Sequence, residues 1–206
     1  GSEMCIRDSF EKMYRIINND PQNEILWVPA AAVKKIQKAR YAEMVLHEMW
    51  CVANLRIKSV EIQGDSAAVR FHHPESRIQF EHPWPRPMVT KDGHNSAFYL
   101  TNAMELLDEP GEWYHDIESR KIYYYPRKGE KISKAVVPGI ETLVWVEGTI
   151  DRPVKHIRFD NIAFQYTTWM RPSLQGHVPL QAGMYLTDGY RIDPKMQRNY
   201  LNHPLD

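Results

Sequence analysis

Three residues near the C-terminus have side chains of the types that bind sugars. Trp169, Arg171 and His177 fall in a loop-like stretch, residues 167–181. A tryptophan ring packs on the apolar face of a sugar, whereas Arg and His donate hydrogen bonds to hydroxyl or uronate oxygens. We predict that these three residues bind substrate. The pattern fits equally well a Trp169 that packs beneath the loop and an Arg171 that pairs with an acidic neighbour.

Catalysis on a glycosidic bond would need more than these side chains. Two carboxyl groups about 5–9.5 Å apart are required, one to protonate the leaving oxygen and one to attack or to activate water. Asp188 and Asp193 follow an apolar stretch, and Glu147 and Asp160 fall at predicted chain corners. Aspartate at such places usually forms turns. We therefore leave the catalytic residues unassigned.

The sequence predicts no metal site and no cofactor. His72 and His73 are adjacent, so in a strand they point to opposite faces, and no cysteine or third histidine has ligand spacing. No glycine-x-serine-x-glycine elbow for a nucleophilic serine occurs either. Trp84, in a proline-rich stretch, could stack on a sugar, but we expect it to pin its loop to the body.

Composition excludes some partners. The 206 residues include 26 basic and 26 acidic ones, a balance that argues against nucleic acid and against anionic membranes. No apolar run reaches transmembrane length. Residues 1–9 resemble translated sequencing-adapter read-through from environmental reads, with an ordinary flexible N-terminus as the alternative, and either interpretation sets them aside from the fold. That leaves Cys51 as the single cysteine, which we expect to be buried and without a disulfide partner.

Four segments position these residues. Residues 1–9 are the read-through, and residues 10–97 form a small β-rich accessory module that ends in a proline and aromatic loop. Residues 98–140 form a helix-and-hairpin segment, and residues 141–206 form the first rungs of a truncated parallel β-helix. The predicted fold class is mainly β: a right-handed parallel β-helix begins after a small antiparallel β module and short helices.

Within the accessory module, helix-like spacing predicts a helix over residues 10–18, and a short helix or extended link begins at Pro29. Period-two alternation from residue 43 to residue 73, with a turn at residues 63–66, predicts an antiparallel sheet. Residues 75–96 are predicted to be a loop that wraps the surface.

The two later segments have different patterns. Residues 98–107 are predicted to be a short helix, followed by strands at residues 113–116 and 122–125. Beyond residue 141, short period-two runs are broken by single Asn, Asp or Gly corners. Such runs favour a chain that coils into triangular rungs, each stacked on the next. Because one rung cannot bury its own face, more rungs are expected.

A family resemblance is carried by residues 98–126 and by the rung that follows. The motifs read Asn102-Ala103, then Leu107-Asp108-Glu109-Pro110-Gly111-Glu112-Trp113-Tyr114, then Tyr124-Tyr125-Pro126. This pattern resembles the segment that leads into right-handed parallel β-helix glycoside hydrolases of the α-L-fucosidase and xylanase type. The resemblance implies hydrolysis of a polysaccharide or oligosaccharide without an organic cofactor. It also implies a catalytic carboxylate pair on later rungs, beyond residue 206, and an extracellular or periplasmic location.

Two alternatives stay open. The chain could be a carbohydrate-binding or structural β module without activity of its own. It could also be part of a polysaccharide lyase, which shares the parallel β-helix but typically needs Ca²⁺ held by clustered carboxylates and a basic residue that abstracts a proton. By itself, the 206-residue chain is predicted to be inactive.

Overall fold

The structure, a computed structural model, describes residues 13–81 and 86–168 together with Gly176 and Val178. These residues form two compact units. The first contains the described residues up to 128 and the two isolated residues 176 and 178; the second contains residues 129–168.

An antiparallel sheet of seven strands makes up most of the first unit. Its hydrogen-bonded order is β1-β7-β4-β5-β6-β3-β2, and every pairing is antiparallel. The strands are β1 (Tyr14–Arg15), β2 (Asn18–Asp20), β3 (Ile25–Pro29), β4 (Glu43–His47), β5 (Val52–Gln63), β6 (Ser66–Phe71) and β7 (Ala97–Thr101). The predicted antiparallel module between residues 43 and 73 is therefore confirmed, with β4, β5 and β6 as its strands.

The sheet closes on itself into a cylinder, because its two edge strands, β1 and β2, are consecutive in the chain. Between them, the backbone N–H of Ile16 donates to the Ser96 carbonyl beside β7, and that of Ile17 donates to the Trp27 carbonyl in β3. Ile16 is 1% exposed and Ile17 is 43% exposed. Between Ile16 and Ile17 the chain thus changes its pairing from β7 to β3. It leaves no open sheet edge there, and open edges are where other chains can pair.

Alternate residues of each strand fill the cylinder. Met44 and Leu46 of β4 lie in the core cluster, opposite Leu55 and Ala53 of β5. The period-two pattern of the sequence marks the residues that face the interior, because neighbouring residues of a strand face opposite sides of the sheet. The residues in between, such as Glu43 and Arg56, face outward.

Two short helices pack against the cylinder. Helix α1 (Ala30–Val33) begins after Pro29, whose φ of −59° suits a helix start, and a 3₁₀ turn at Lys34–Ile36 continues it. Val33 and Ile36 are fully buried. Helix α2 (Glu75–Glu81) buries Ile78 and Phe80, whose ring lies against Phe71.

A hairpin of two strands, β8 (Trp113–Asp116) and β9 (Lys121–Tyr124), completes the first unit, as the sequence predicted. The Asp116 carboxylate accepts hydrogen bonds from the Glu118 and Ser119 backbone and from the Ser119 hydroxyl, which lower its pKa and fix the turn. Before the hairpin, the buried Glu112 carboxylate accepts hydrogen bonds from the N–H groups of Asp108 and Glu109. The acidic motif at residues 107–112 is therefore architectural.

The second unit has sharp bends of the backbone, here called corners, at a regular spacing. His156, Asn161 and Tyr166 all have positive φ, between 56° and 65°, and are five residues apart. Phe159 and Phe164, each three residues after a corner, contact edge to face with ring centroids 5.3 Å apart. The apolar side chains of residues 143–166 are largely exposed. No strand is formed within residues 129–168, so the predicted parallel β-helix stays a prediction.

Four local predictions were wrong. Residues 13–18 form β1 and the start of β2 instead of a helix, because Ile16 enters the cylinder. Residues 98–107 form β7 and a 3₁₀ turn at Met104–Leu106, because pairing with β4 overrides local spacing. Residues 75–81 form helix α2 instead of loop. Cys51 is half-buried in the turn between β4 and β5.

Candidate functional site

A cleft of about 350 Å³ opens on the outer surface of the first unit. It lies where the start of β4, the middle of β5 and the end of β7 meet the tip of the β8–β9 hairpin. Its lining residues come from five separate places in the chain: Arg40, Tyr41, Ala42, Glu43, Arg56, Ile57, His72, Asn102 and Ile117. The volume lies near the lower end of the ~300–1,000 Å³ that is typical of ligand sites.

The floor of the cleft carries a carboxylate fixed by an amide. Glu43 is only 6% exposed, and its Oε1 accepts a hydrogen bond of 3.3 Å from Asn102 Nδ2. Asn102 follows β7 with a φ of 57°, a left-handed conformation that asparagine tolerates better than most residues. This conformation ends β7 and turns the amide toward β4.

Beside Glu43 stands a guanidinium held by a second carboxylate. Arg56 is directly opposite Glu43 in the β4–β5 ladder. Its Nε and Nη2 donate to the two oxygens of the Glu75 carboxylate at 2.6 and 2.9 Å, and Nη2 also donates to the His73 carbonyl. The bonds to Glu75 are the main reason why the pKa of Arg56 is raised. Glu75 is fully buried at the start of α2.

The opposite wall belongs to the hairpin. The Glu118 carboxylate accepts hydrogen bonds from Arg40 Nη1 and from the Tyr41 hydroxyl, at 2.8 and 2.9 Å. The bond from Tyr41 raises the pKa of its phenol. These contacts tie the hairpin tip to the chain just before β4, and they hold the Tyr41 ring beside Ile117 at the cleft mouth.

His72 contributes a ring that stays neutral near pH 7. Burial, and secondly the nearby Arg56 charge, lower its pKa. A neutral imidazole has one donor nitrogen and one acceptor nitrogen. The cleft therefore offers acceptors and donors side by side, which suits hydroxyl groups. Glu43 is the one carboxylate among its described lining residues, whereas hydrolysis of a glycosidic bond needs two.

A second polar group lies at the other end of β4. The Glu48 carboxylate accepts hydrogen bonds from Gln79 Nε2 at 2.6 Å and from the Cys51 thiol at 3.2 Å. Burial raises the pKa of Glu48 to about 7 from its ordinary 4.5, although both hydrogen bonds oppose the shift. Burial, and then the Glu48 charge, also raise the pKa of Cys51. The thiol is thus held protonated and is a poor nucleophile.

The predicted substrate-binding residues Trp169, Arg171 and His177 lie outside the described residues, as do Trp84, Asp188 and Asp193. Glu147 and Asp160 are described and exposed. Glu147 accepts a hydrogen bond from Trp145 Nε1, and Asp160 pairs with Arg158. Both carboxylates therefore have local partners.

His72 and His73 do not form a metal site with their neighbours. His73 lies 3.6 Å from a Glu24 carboxylate oxygen, whereas His72 lines the cleft. In the part of the chain that the structure describes, no group of three or more His, Cys, Asp or Glu side chains is placed to hold a metal. Within the same residues, no helix is long and apolar enough to cross a membrane.

The sequence analysis did not identify the cleft. Glu43, Arg56 and Asn102 are far apart in sequence, and only the pairing of β4 with β5 and β7 brings them together. One signal was available, because the charged residues Glu43 and Arg56 fall on the side of the period-two strands opposite the apolar residues.

Comparisons with known proteins give a consistent result. A protein-family model described as the GH141 insertion domain matches residues 4–127, more than half of the chain. Among solved structures, a chain named glycoside hydrolase is 70% identical, with a TM-score of 0.85. That match covers 100% of this chain and 36% of the other, so this chain spans about a third of its relative's length. No curated protein matches.

Proposed function

The chain belongs to the GH141 insertion domain family, and from this membership we propose that it is part of an enzyme that hydrolyses glycosidic bonds in a polysaccharide. The observation that carries the proposal is the 70% identity, over the whole chain, to part of a protein named glycoside hydrolase. The TM-score of 0.85 indicates that the two chains also share their fold.

In this proposal the first unit does not cut the substrate. Its cleft has a single carboxylate among the described lining residues, Glu43, which is already engaged by Asn102. The catalytic pair would then come from elsewhere in the enzyme, and the insertion domain would bind or orient the polysaccharide. Trp169, Arg171 and His177, within residues 167–181, are proposed to contribute to substrate binding.

The second unit is proposed to belong to a right-handed parallel β-helix of the α-L-fucosidase or xylanase type. Two features support this: the corners five residues apart at His156, Asn161 and Tyr166, and the exposed apolar side chains between them. In a parallel β-helix, each rung pairs with its neighbours and covers their apolar side chains.

The proposed enzyme also has a proposed location and reaction class. We propose an extracellular or periplasmic enzyme, on the family resemblance alone. The name of the 70% identical structure favours a hydrolase over a lyase. A binding or structural module without catalysis remains the second candidate, favoured by the lone carboxylate of the cleft.

The test is to read the gene across both ends of this sequence and to assay its complete product on polysaccharides. We expect a reading frame that extends through further rungs, and a product that releases reducing ends. A lyase would instead release unsaturated sugars that absorb in the ultraviolet. A complete product that releases neither would contradict the enzyme and favour the binding module.

A further inference from the structure

We propose that the cleft between β4, β5, β7 and the hairpin tip binds a sugar unit of a neutral polysaccharide, through Glu43, Asn102, His72 and the ring of Tyr41. This inference rests on the proposed function, because it supplies the site by which the insertion domain would hold its polysaccharide. The cleft lies wholly within the first unit and is lined by described residues.

The polar groups of the floor are held in place before any ligand arrives. Glu43 is nearly buried and is fixed by Asn102, and Asn102 itself sits at the end of a paired strand. Carboxylate and amide oxygens accept hydrogen bonds from hydroxyl groups, and the amide also donates. Groups that are already ordered lose little entropy on binding, so their hydrogen bonds contribute fully to affinity.

The charges around the cleft favour a neutral ligand over an acidic one. Each cation of the lining is already matched, Arg56 by the buried Glu75 and Arg40 by Glu118. His72 stays neutral near pH 7, since burial and Arg56 lower its pKa. Glu43 lies directly opposite Arg56 in the ladder, and a uronate carboxylate placed beside the Glu43 carboxylate would be repelled.

The walls supply the apolar contact that a sugar ring needs. Tyr41 is half-buried, and its hydroxyl is fixed to Glu118. Ile57 and Ile117 line the same cleft. Amphipathic aromatic rings with one end in water are common at such wet binding surfaces. These apolar side chains match the apolar face of a neutral sugar ring, and the donors and acceptors of the floor match its hydroxyl groups.

Affinity electrophoresis tests the proposal with the 206-residue chain and four soluble polysaccharides. Arabinoxylan, xyloglucan and galactomannan are the neutral probes, and polygalacturonate is the acidic one. We expect retardation by at least one neutral probe and none by polygalacturonate. No retardation by any neutral probe, or stronger retardation by polygalacturonate, overturns the proposal.

Variants then locate the binding. Asn102→Gly removes the amide while keeping the positive φ, which glycine adopts freely. Tyr41→Ala removes the ring. Each is expected to weaken binding about tenfold, the effect of losing one well-placed partner. Tyr125→Ala is the matched control for Tyr41→Ala, and Glu61→Gln is a second control; both change exposed residues outside the cleft, and their binding should equal that of the wild type.

The outcomes separate this inference from the proposed function. If both cleft variants are folded by circular dichroism and still bind as the wild type does, the cleft proposal fails, whatever the complete gene product hydrolyses. If the cleft variants lose binding but the complete product releases no reducing ends, the cleft stands as a binding site and the hydrolase proposal fails.

Discussion

At the residue scale, the most constrained ionic contact of the first unit is the pair between Arg56 and Glu75. Glu75 is fully buried, and its carboxylate accepts hydrogen bonds from Nε, Nη2 and the backbone N–H of Arg56. Gly176 lies against the same side chain, with a φ of 68°, and a Cβ there would come within 2.7 Å of Glu75 Cγ. Glu75 therefore links α2, β5 and residue 176.

Glu75→Gln is expected to lower the free energy of unfolding by about 2–4 kcal/mol, because it leaves a partly buried guanidinium without its closest counter-charge. Glu118→Gln is the matched control. It breaks a pair with Arg40 whose side chains are 71% and 52% exposed, and such pairs contribute at most about 1 kcal/mol. Urea denaturation of both variants measures the difference, and equal losses would contradict the special role of Glu75.

A second residue-scale prediction concerns pH. The pKa of Glu48 is about 7 in the folded chain and near the ordinary 4.5 in the unfolded chain. Between these values the folded state binds more protons than the unfolded state, so the free energy of unfolding falls as pH rises from about 4.5 to about 7. The stabilisation is complete below 4.5 and is lost by the time the pH passes the folded pKa.

Glu48→Gln removes this dependence, since glutamine cannot ionise. Its stability relative to the wild type should increase by up to about 3 kcal/mol between pH 4.5 and pH 8, because each unit of pKa shift corresponds to about 1.4 kcal/mol. Glu61→Gln, at an exposed position of β5, is the control and should show no such trend. Urea titrations at several pH values test this, and parallel curves for Glu48→Gln and the wild type would refute it.

At the element scale, the strand that closes the cylinder decides whether the sheet has an edge. Residues 14–20 pair with β7 at their start and with β3 at their end. Ile16, at the change of partner, is in the core cluster, whereas Ile17 faces outward. Closure thus depends on one buried side chain and two backbone hydrogen bonds.

Ile16→Ala is expected to lower the free energy of unfolding by about 2–5 kcal/mol, since it leaves a cavity in a packed core. Ile17→Ala, the neighbouring residue of the same type, should change stability by no more than about 0.5 kcal/mol. Thermal and chemical unfolding measure both effects. A similar small loss in the two variants would mean that the strand does not close the cylinder in solution.

At the scale of the whole molecule, the two units differ in how far they bury their apolar side chains. The first buries a continuous cluster inside a closed sheet. The second exposes large apolar residues, among them Trp145 at 76%, Ile150 at 96% and Ile162 at 60%. Exposed apolar surface of this kind marks a site that another surface covers, or a source of association.

The 206-residue chain is therefore expected to self-associate and to bind a hydrophobic dye. Replacing Trp145, Ile150 and Ile162 together by serine should abolish most of both effects while leaving the unfolding of the first unit unchanged. The control replaces three exposed apolar residues of the first unit, Ile17, Met49 and Val89, by serine. Light scattering and dye fluorescence are the measurements. Equal reduction in the control would show that the second unit is not the cause.

Elements with a local pattern were predictable from the amino-acid sequence. Period-two alternation predicted β4, β5 and β6. The hairpin strands β8 and β9 were predicted nearly to the residue, because strand runs flanked a turn-forming stretch. A helix after Pro29 was one of the two conformations predicted there, the other being an extended link, and α1 is that helix. The likeness to glycoside hydrolases was also predicted, from the resemblance of the motifs at residues 102–126.

Only the tertiary structure decided the rest. Residues 13–18 and 98–101 have helix-compatible spacing, yet they are strands because pairing and burial across the cylinder outweigh weak local preferences. Helix α2 was hidden by the prolines that follow it, although Pro74 before Glu75 was a start signal. The cleft is the clearest case. Glu43, Arg56 and Asn102 become neighbours through strand register, and register between distant strands depends on which faces can be buried together.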